Sequence, residues 1–350
     1  MKIVVLAGGL SPERNVSLSS GTMIAHALRR LGHQAALVDL YFGLEEHTGP
    51  VEEYFHLPIS DRWKQVDPHA PDLEAIRAQR KDQSPNQFGP GVLALCQQAD
   101  VVFLALHGAC GEDGRVQAAF DLMGIPYTGS GYVGSALAMD KDLTKRLVAP
   151  LGVQTPQWRR VNYTAKEVDS LTSTTRVPCV VKPVASGSSI GVSIAHTKKE
   201  LHAALLDGLA FGGACVLEQY VSGREIQVAV LEDRALPSIE IIPKEGFYDY
   251  ENKYQPGAAE EVCPAPIPPA WEEALGKAAL TVYRALGLAV YARADFIVDE
   301  TGTPWFLEIN TLPGMTPTSL VPQEAAAVGI DYEQLCQRII DASLQARREQ

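Results

Sequence analysis

The chain has 350 residues, a formal net charge of -12, 46% hydrophobic and 21% charged residues, which fits a soluble globular protein of two or three packed domains. That acidic balance argues against a general nucleic-acid or anionic-membrane surface, although a few lysines and arginines inside an acidic protein suffice to hold a nucleotide. No apolar run approaches a bilayer span, and the cysteines at 96, 110, 179, 215, 263 and 336 form no C-x-x-C pair, which speaks against a zinc site or disulfide framework and for a reducing, cytosolic setting.

Lys2 to Leu6 reads as a buried strand that turns at Gly8-Gly9 into a polar stretch, unlike a signal peptide. Ser17 to Leu31 has helical periodicity with Gly32 as a stop, and Ala35 to Leu40 and Val101 to Leu106 are further strands. This alternation implies a parallel sheet covered on both faces. Glu45 to Gly91 is polar, Pro-rich and weakly periodic, as expected of a surface insertion. Met139 to Leu151 reads as one helix. Pro178 to Pro183, Gly191 to Ala195 and Cys215 to Tyr220 are strands which, with a helix from Lys199 to Leu209, suggest a small α+β unit around a Gly-Ser hairpin. The last third carries strands at Glu225 to Leu231, Leu236 to Ile242, Ala292 to Val298 and Pro304 to Ile309. Short turns favour an antiparallel sheet there, with helices Pro269 to Leu286 and Tyr332 to Arg347 covering it.

The most informative segment is Tyr291 to Asn310, two apolar runs around Asp299-Glu300-Thr301-Gly302-Thr303, which is a hairpin signal. A loop of Glu300 to Thr303, with Asp299 opposite Pro304, sets Asp295 opposite Glu308 and Arg293 opposite Asn310. Residues two apart on a strand share a face. Two facing carboxylates repel unless a cation sits between them, and Mg²⁺ prefers such hard oxygen ligands together with phosphates and water. The bland alternative is a surface hairpin with solvated charges, but the flanking residues are apolar on both faces.

Three weaker signals gain weight from that company. Lys182, at the end of a strand, precedes Ser186-Gly187-Ser188-Ser189-Ile190-Gly191, a suitable cradle for phosphate though not a P-loop, whose lysine follows its glycines. Lys141 opens a helix and could reach the same phosphates. Glu218 and Glu225 flank a strand-to-loop passage suited to adenine and ribose, although each of these features alone reads equally well as an ordinary turn or a solvated charge.

Together these elements resemble the ATP-grasp superfamily and, within it, the D-alanine–D-alanine ligase family. The likeness covers nearly the whole chain. It is carried by Ala7-Gly8-Gly9-Leu10-Ser11-Pro12-Glu13-Arg14, Leu106-His107-Gly108 with Gly111-Glu112-Asp113-Gly114, Tyr127-Thr128-Gly129-Ser130-Gly131 and Met139-Asp140-Lys141. Lys182-Pro183, Phe247-Tyr248-Asp249-Tyr250 with Lys253-Tyr254, and Glu308-Ile309-Asn310-Thr311-Leu312-Pro313-Gly314-Met315-Thr316 continue it.

The resemblance implies an ATP-grasp fold of mixed α/β and α+β class: an N-terminal parallel α/β domain (1–130) plus two α+β domains (131–220 and 221–350) that clamp ATP. It implies that ATP phosphorylates the carboxylate of one D-alanine and that the amine of a second attacks the acyl phosphate, in the service of peptidoglycan and cell-wall synthesis. The implied anchors of the first substrate are Glu13 and Ser188, with His107 nearby. Lys141, Lys182 and Ser189 are the implied phosphate ligands, and Glu218, Val221 and Glu225 the adenosine contacts. Asp295, Glu308 and Asn310 are the implied ligands of two Mg²⁺ ions, with Mn²⁺ as a substitute. Arg293 and the Gly314 N–H would stabilise an oxyanion, and Ser319 and Leu320 would receive the second substrate's carboxylate at a helix start. Lys253 and Tyr254 would tip a loop, Lys244 to Cys263, that excludes water. The family also implies a cytoplasmic homodimer with no nucleic-acid or membrane partner.

Ser186 departs from the pattern, since many members carry Glu there. Tyr254 favours an amine over a hydroxyl acceptor, and Leu320 favours D-alanine over D-serine. A D-alanine–D-serine or D-alanine–D-lactate ligase of the vancomycin-resistance type is the alternative. Another ATP-grasp ligase should lack the Glu13 and Tyr254 segments, a non-catalytic nucleotide-binding module should have lost one of Arg293, Asp295, Glu308 or Asn310, and a dehydrogenase lacks support because no G-x-G-x-x-G follows the first strand.

Overall fold

A computed structural model describes residues 1–64, 71–187, 189–244 and 258–348. Strands β1 (Lys2–Ala7), β2 (Gln34–Asp39) and β3 (Val101–Leu104) form a parallel sheet in the order β2-β1-β3. Ile3, Val4, Val5 and Leu6 are all buried, as a central parallel strand covered on both faces requires. Leu18, Ile24 and Leu28 of helix α1 (Arg14–Arg30) share this core.

The second sheet is antiparallel, β4 (Trp158–Asn162) and β7 (Ala214–Gln219) followed by β5 (Cys179–Pro183) and β6 (Ser193–Ala195), in the order β4-β7-β5-β6. Val168, Leu201 and Leu205, from helices Val168–Thr174 and Lys198–Gly208, pack against its Val181 and Leu217. The third sheet contains β8 (Arg224–Leu231), β9 (Arg234–Ala235), β10 (Ile239–Pro243), β11 (Ala259–Val262), β12 (Tyr291–Val298) and β13 (Pro304–Asn310). Its order is β11-β10-β8-β12-β13, with β9 on β8. Helix Pro269–Ala285 buries Leu275, Ala279 and Val282 against Ile226, Val228, Phe296 and Phe306 on one face, so the other face is left to line a cleft.

Several sequence expectations need correction. Met139 to Leu151 is not one helix but two, Tyr132–Met139 and Lys141–Val148, followed by a 3-10 turn, Ala149–Leu151. Asp140 stands between them with extended backbone, and its carboxylate accepts from the N–H groups of Asp142 and Leu143 at 3.0 Å each. An aspartate favours this capping position over a helix interior. The strand expected from Leu236 starts at Ile239 instead, because Pro237 cannot donate to a ladder. Strands β4, β9 and β11 lie outside the expected set; β4 and β11 are at sheet edges, β9 pairs with the end of β8, and all three carry charged residues. The C-terminal helix does not cover the third sheet alone: Cys336, Ile339 and Ile340 join the core of the first sheet, and the helix packs on α1. The described residues of the 45–91 segment are mostly exposed or half-buried, as a surface insertion requires, but Phe55 and Arg80 anchor it: both are buried, and the Arg80 guanidinium lies over Tyr41, 4.5 Å from the ring centroid.

Candidate active site

The third sheet brings the carboxylates together. Asp295 pairs with Glu308 and Arg293 with Asn310, as the sequence implies. The route to that register differs from expectation. Val298, not Asp299, stands opposite Pro304, and a bulge between Asp295 and Phe296 leaves Leu307 as an extra residue that restores the pairing. The loop is one residue longer because Asp299 folds it inward, accepting from the N–H groups of Thr301 (2.9 Å) and Thr303 (3.0 Å) and from the Trp305 indole (2.8 Å). Phe296 and Phe306 meet edge to face on the core side, 5.7 Å between centroids, which turns Asp295 and Glu308 toward the cleft.

Each carboxylate has its own cation. The Arg293 guanidinium grips Asp295 through two parallel bonds of 2.8 and 2.9 Å, and the Asn310 amide donates to the same carboxylate at 3.3 Å. Glu308 lies 2.9 Å from Lys141 Nζ, which also donates to the Ser186 carbonyl at 2.6 Å. The Ser186 hydroxyl donates to the Ile190 carbonyl at 2.9 Å and so closes the hairpin.

Lys182 reaches Glu218 at 2.8 Å, and Lys145 reaches the other oxygen of Glu218 at 2.5 Å. Burial raises the Glu218 pKa, but the two ammonium groups outweigh it and hold the group well below the ordinary carboxylate range. Lys182, Ser189, Glu218, Val221 and Glu225 line one cleft together with Asp295 and Glu308. Sequence reasoning missed Lys145. The signal available was its i+4 spacing from Lys141, which puts both on one face of a helix.

Glu13 stands just before α1 and is buried. It approaches two glycines so closely that a Cβ at Gly187 would lie 2.4 Å, and one at Gly108 2.7 Å, from its Oε2. His107 is buried and bonded through both ring nitrogens, Nδ1 at 2.8 Å from the Leu312 carbonyl and Nε2 at 3.3 Å from Ser20 Oγ. The carbonyl can only accept, so Nδ1 carries the proton. Burial, aided by the charge of Arg293, pulls the His107 pKa down to about 4. Glu112, quoted in a motif but given no role, accepts from Gly108 N–H at 2.8 Å and Leu312 N–H at 3.1 Å.

Ser319 precedes helix Leu320–Ala327, and its Oγ accepts from Thr316 N–H at 3.0 Å. A Cβ on Gly314 would come within 3.1 Å of that Oγ. Leu320 packs with Ile239 and Ile241. Ser188, Lys253 and Tyr254 lie outside the described residues.

Among the described residues no group of three or more His, Cys, Asp or Glu could hold a metal ion. The hairpin offers instead two carboxylates and an amide, an incomplete all-oxygen shell, and that suits Mg²⁺, which draws its remaining ligands from phosphates and water. Among the described residues no helix is long and apolar enough to cross a membrane.

Two family models match the chain, "D-ala D-ala ligase N-terminus" over residues 2–130 and "D-ala D-ala ligase C-terminus" over residues 147–341. A D-alanine–D-alanine ligase of Pediococcus pentosaceus is 42% identical over 342 residues, covering 97% of each chain. One of Lacticaseibacillus casei is 40% identical over 345 residues, covering 98% of this chain and 96% of its own. Crystal structures of the Bacillus anthracis D-alanine–D-alanine ligase, alone and complexed with ATP, match with TM-scores of 0.73 and 0.74 at 32% and 29% identity, covering 100% of this chain and 99% of theirs.

Proposed function

The chain belongs to the D-alanine–D-alanine ligase family, and from that premise we propose how its residues divide the work of an ATP-dependent ligation of two D-alanines for peptidoglycan synthesis. The observation that carries the reading is the pairing of Asp295 with Glu308 and of Arg293 with Asn310 on the cleft face of one sheet, beside Lys141 and Lys182. Phosphoryl transfer needs positioning and charge neutralisation more than covalent help from the protein, and this cluster supplies both.

In this reading Glu218, Val221 and Glu225 hold adenosine, and Lys141, Lys182 and Ser189 take the phosphates. Lys141 and Lys182 already rest on Glu308 and Glu218, so an arriving polyphosphate exchanges partners with cations that are in place. Asp295, Glu308 and Asn310 would hold two Mg²⁺ ions, or Mn²⁺ in their stead, which when bound neutralise phosphate charge. Glu13 and Ser188 anchor the ammonium of the first D-alanine, beside His107. Arg293 and the Gly314 N–H face the oxyanion that forms when the second amine attacks. Ser319 and Leu320 receive the second carboxylate at a helix start, Ser319 through its hydroxyl because its N–H already donates to the Thr316 carbonyl at 2.9 Å, and Lys253 and Tyr254 close over the reactants.

The apolar contact of Leu320 with Ile239 and Ile241 supports a small acceptor such as D-alanine. We further assign the three-domain division at 130 and 220, a cytoplasmic location and a homodimer, the last checked by sedimentation equilibrium. Mass spectrometry of the products from ATP, Mg²⁺ and equal D-alanine, D-serine and D-lactate tests the acceptor. The reading expects D-alanyl-D-alanine to dominate; a dominant D-alanyl-D-serine or D-alanyl-D-lactate overturns it in favour of the vancomycin-resistance type.

A further inference from the structure

We propose that Glu112 is a positioning residue of the ligation: with His107 it fixes the backbone of Leu312 from both sides and so sets the direction of the Gly314 N–H. This rests on the reading of Gly314 as an oxyanion donor.

The geometry is a bracket. Leu312 N–H donates to one Glu112 oxygen at 3.1 Å, while Leu312 C=O accepts from His107 Nδ1 at 2.8 Å. The other Glu112 oxygen accepts from Gly108 N–H at 2.8 Å, so a single carboxylate ties the loop after β3 to the loop after β13. On the far side of Gly314, Met315 N–H donates to Ser20 Oγ at 3.3 Å, and Met315 C=O accepts from the Tyr332 hydroxyl at 2.5 Å. Gly314 is therefore held between two residues whose N–H and C=O groups are both bonded. None of the four side chains that hold them comes from the sheet that carries Arg293.

Only a side chain with two separate acceptor oxygens can serve two N–H donors in this way. A glutamine offers one acceptor and would turn its own N–H₂ toward the second donor. The position is also costly for a carboxylate. Burial and the neighbouring Glu13 raise the Glu112 pKa, against the pull of Gly108 N–H, Leu312 N–H and Arg293. A residue needed only for packing would be apolar here; one that must hold two peptides in register needs these oxygens.

The test uses the full chain, beginning from wild-type protein that makes dipeptide. Failure of the wild type to ligate would refute the functional reading itself, not this inference. Glu112→Gln is expected to lower kcat by roughly 10- to 100-fold, the scale of a sub-ångström to ångström misplacement of a catalytic donor, with KM for ATP unchanged and a drop in thermal midpoint too small to account for the lost kcat at the assay temperature. An unchanged kcat, or a kcat that falls only in step with lost thermal stability, overturns the proposal. If Glu112→Gln does not fold, Ser20→Ala decides, since it frees Met315 N–H on one side of Gly314 and His107 Nε2, whose ring holds Leu312, on the other. A lower kcat at unchanged KM for ATP supports the bracket, and an unchanged kcat overturns it.

Discussion

Lys182 lies 2.8 Å from Glu218, a carboxylate buried beneath the cleft, so the cation we propose for phosphate is held in place by a group with a second counter-charge of its own. That second charge is Lys145, fully buried, 2.5 Å from the other Glu218 oxygen. Were a phosphate to draw Lys182 away, Lys145 would keep Glu218 neutralised. Lys145→Met should therefore cost on the order of 3–5 kcal/mol in urea denaturation, the usual result of breaking a buried pair. It should also shrink the rise in thermal midpoint that saturating ATP produces. Wild-type stability and an undiminished ATP shift would contradict this role.

Gly187→Ala separates activity from stability. The added Cβ falls 2.4 Å from Glu13 Oε2, the movable end of a side chain, so the fold yields by displacing Glu13. The expected outcome is an unchanged melting temperature and a rise of roughly 10-fold or more in KM for the first D-alanine, the cost of losing about 1.4 kcal/mol of a charge-assisted contact. Steady-state kinetics with a melting curve check both halves.

The pH dependence follows from His107. Its pKa falls from 6.5 to about 4, by burial first and the charge of Arg293 in addition. Between those values the unfolded chain binds a proton that the folded chain does not, so stability is lost as pH falls through this window and is unaffected above it. The loss approaches about 3 kcal/mol. Glu112 acts with the opposite sign: burial first, and the neighbouring Glu13 in addition, raise its pKa above the ordinary carboxylate range, so its contribution is present at low pH and is lost as pH rises through the raised value. Comparing wild type with His107→Gln cancels the Glu112 part. Urea midpoints at several pH values should show the wild type losing more stability than the variant between pH 6.5 and 4; parallel curves would refute the assignment.

How far the site could be read from sequence depended on whether its geometry was local. Asp295 and Glu308 were legible because strand alternation places residues two apart on one face, and two facing acids demand a cation. The bulge at Leu307 was not legible, because it compensates for an Asp299 side chain that tucks the loop inward, a contact no periodicity reports. The register at the site was right although the loop beside it was one residue longer than expected. Edge strands β4 and β11 escaped because Arg159, Arg160, Glu260 and Glu261 interrupt the apolar pattern where one side of the strand faces solvent. The return of Ile339 and Ile340 to the first sheet and the bracket on Leu312 join residues some 200 or more positions apart, and sequence alone gives no distance across such gaps.

Removing one hairpin carboxylate tests metal binding without relying on turnover. Glu308→Gln leaves Lys141 without its anionic partner but keeps the shape of the strand. The expected result is that ATP with Mg²⁺ stabilises the wild type against heat more than ATP with EDTA does, whereas the variant shows no such difference. An equal Mg²⁺ effect in both proteins would place the ion elsewhere.

The most direct test is the coupling between nucleotide and peptide bond: ADP and dipeptide measured together from ATP, Mg²⁺ and D-alanine. The arrangement of Arg293, Asp295, Glu308 and Asn310 predicts one ADP for each D-alanyl-D-alanine and negligible ADP without D-alanine. ADP released at the same rate in the absence of D-alanine, or dipeptide formed without ADP, would contradict it.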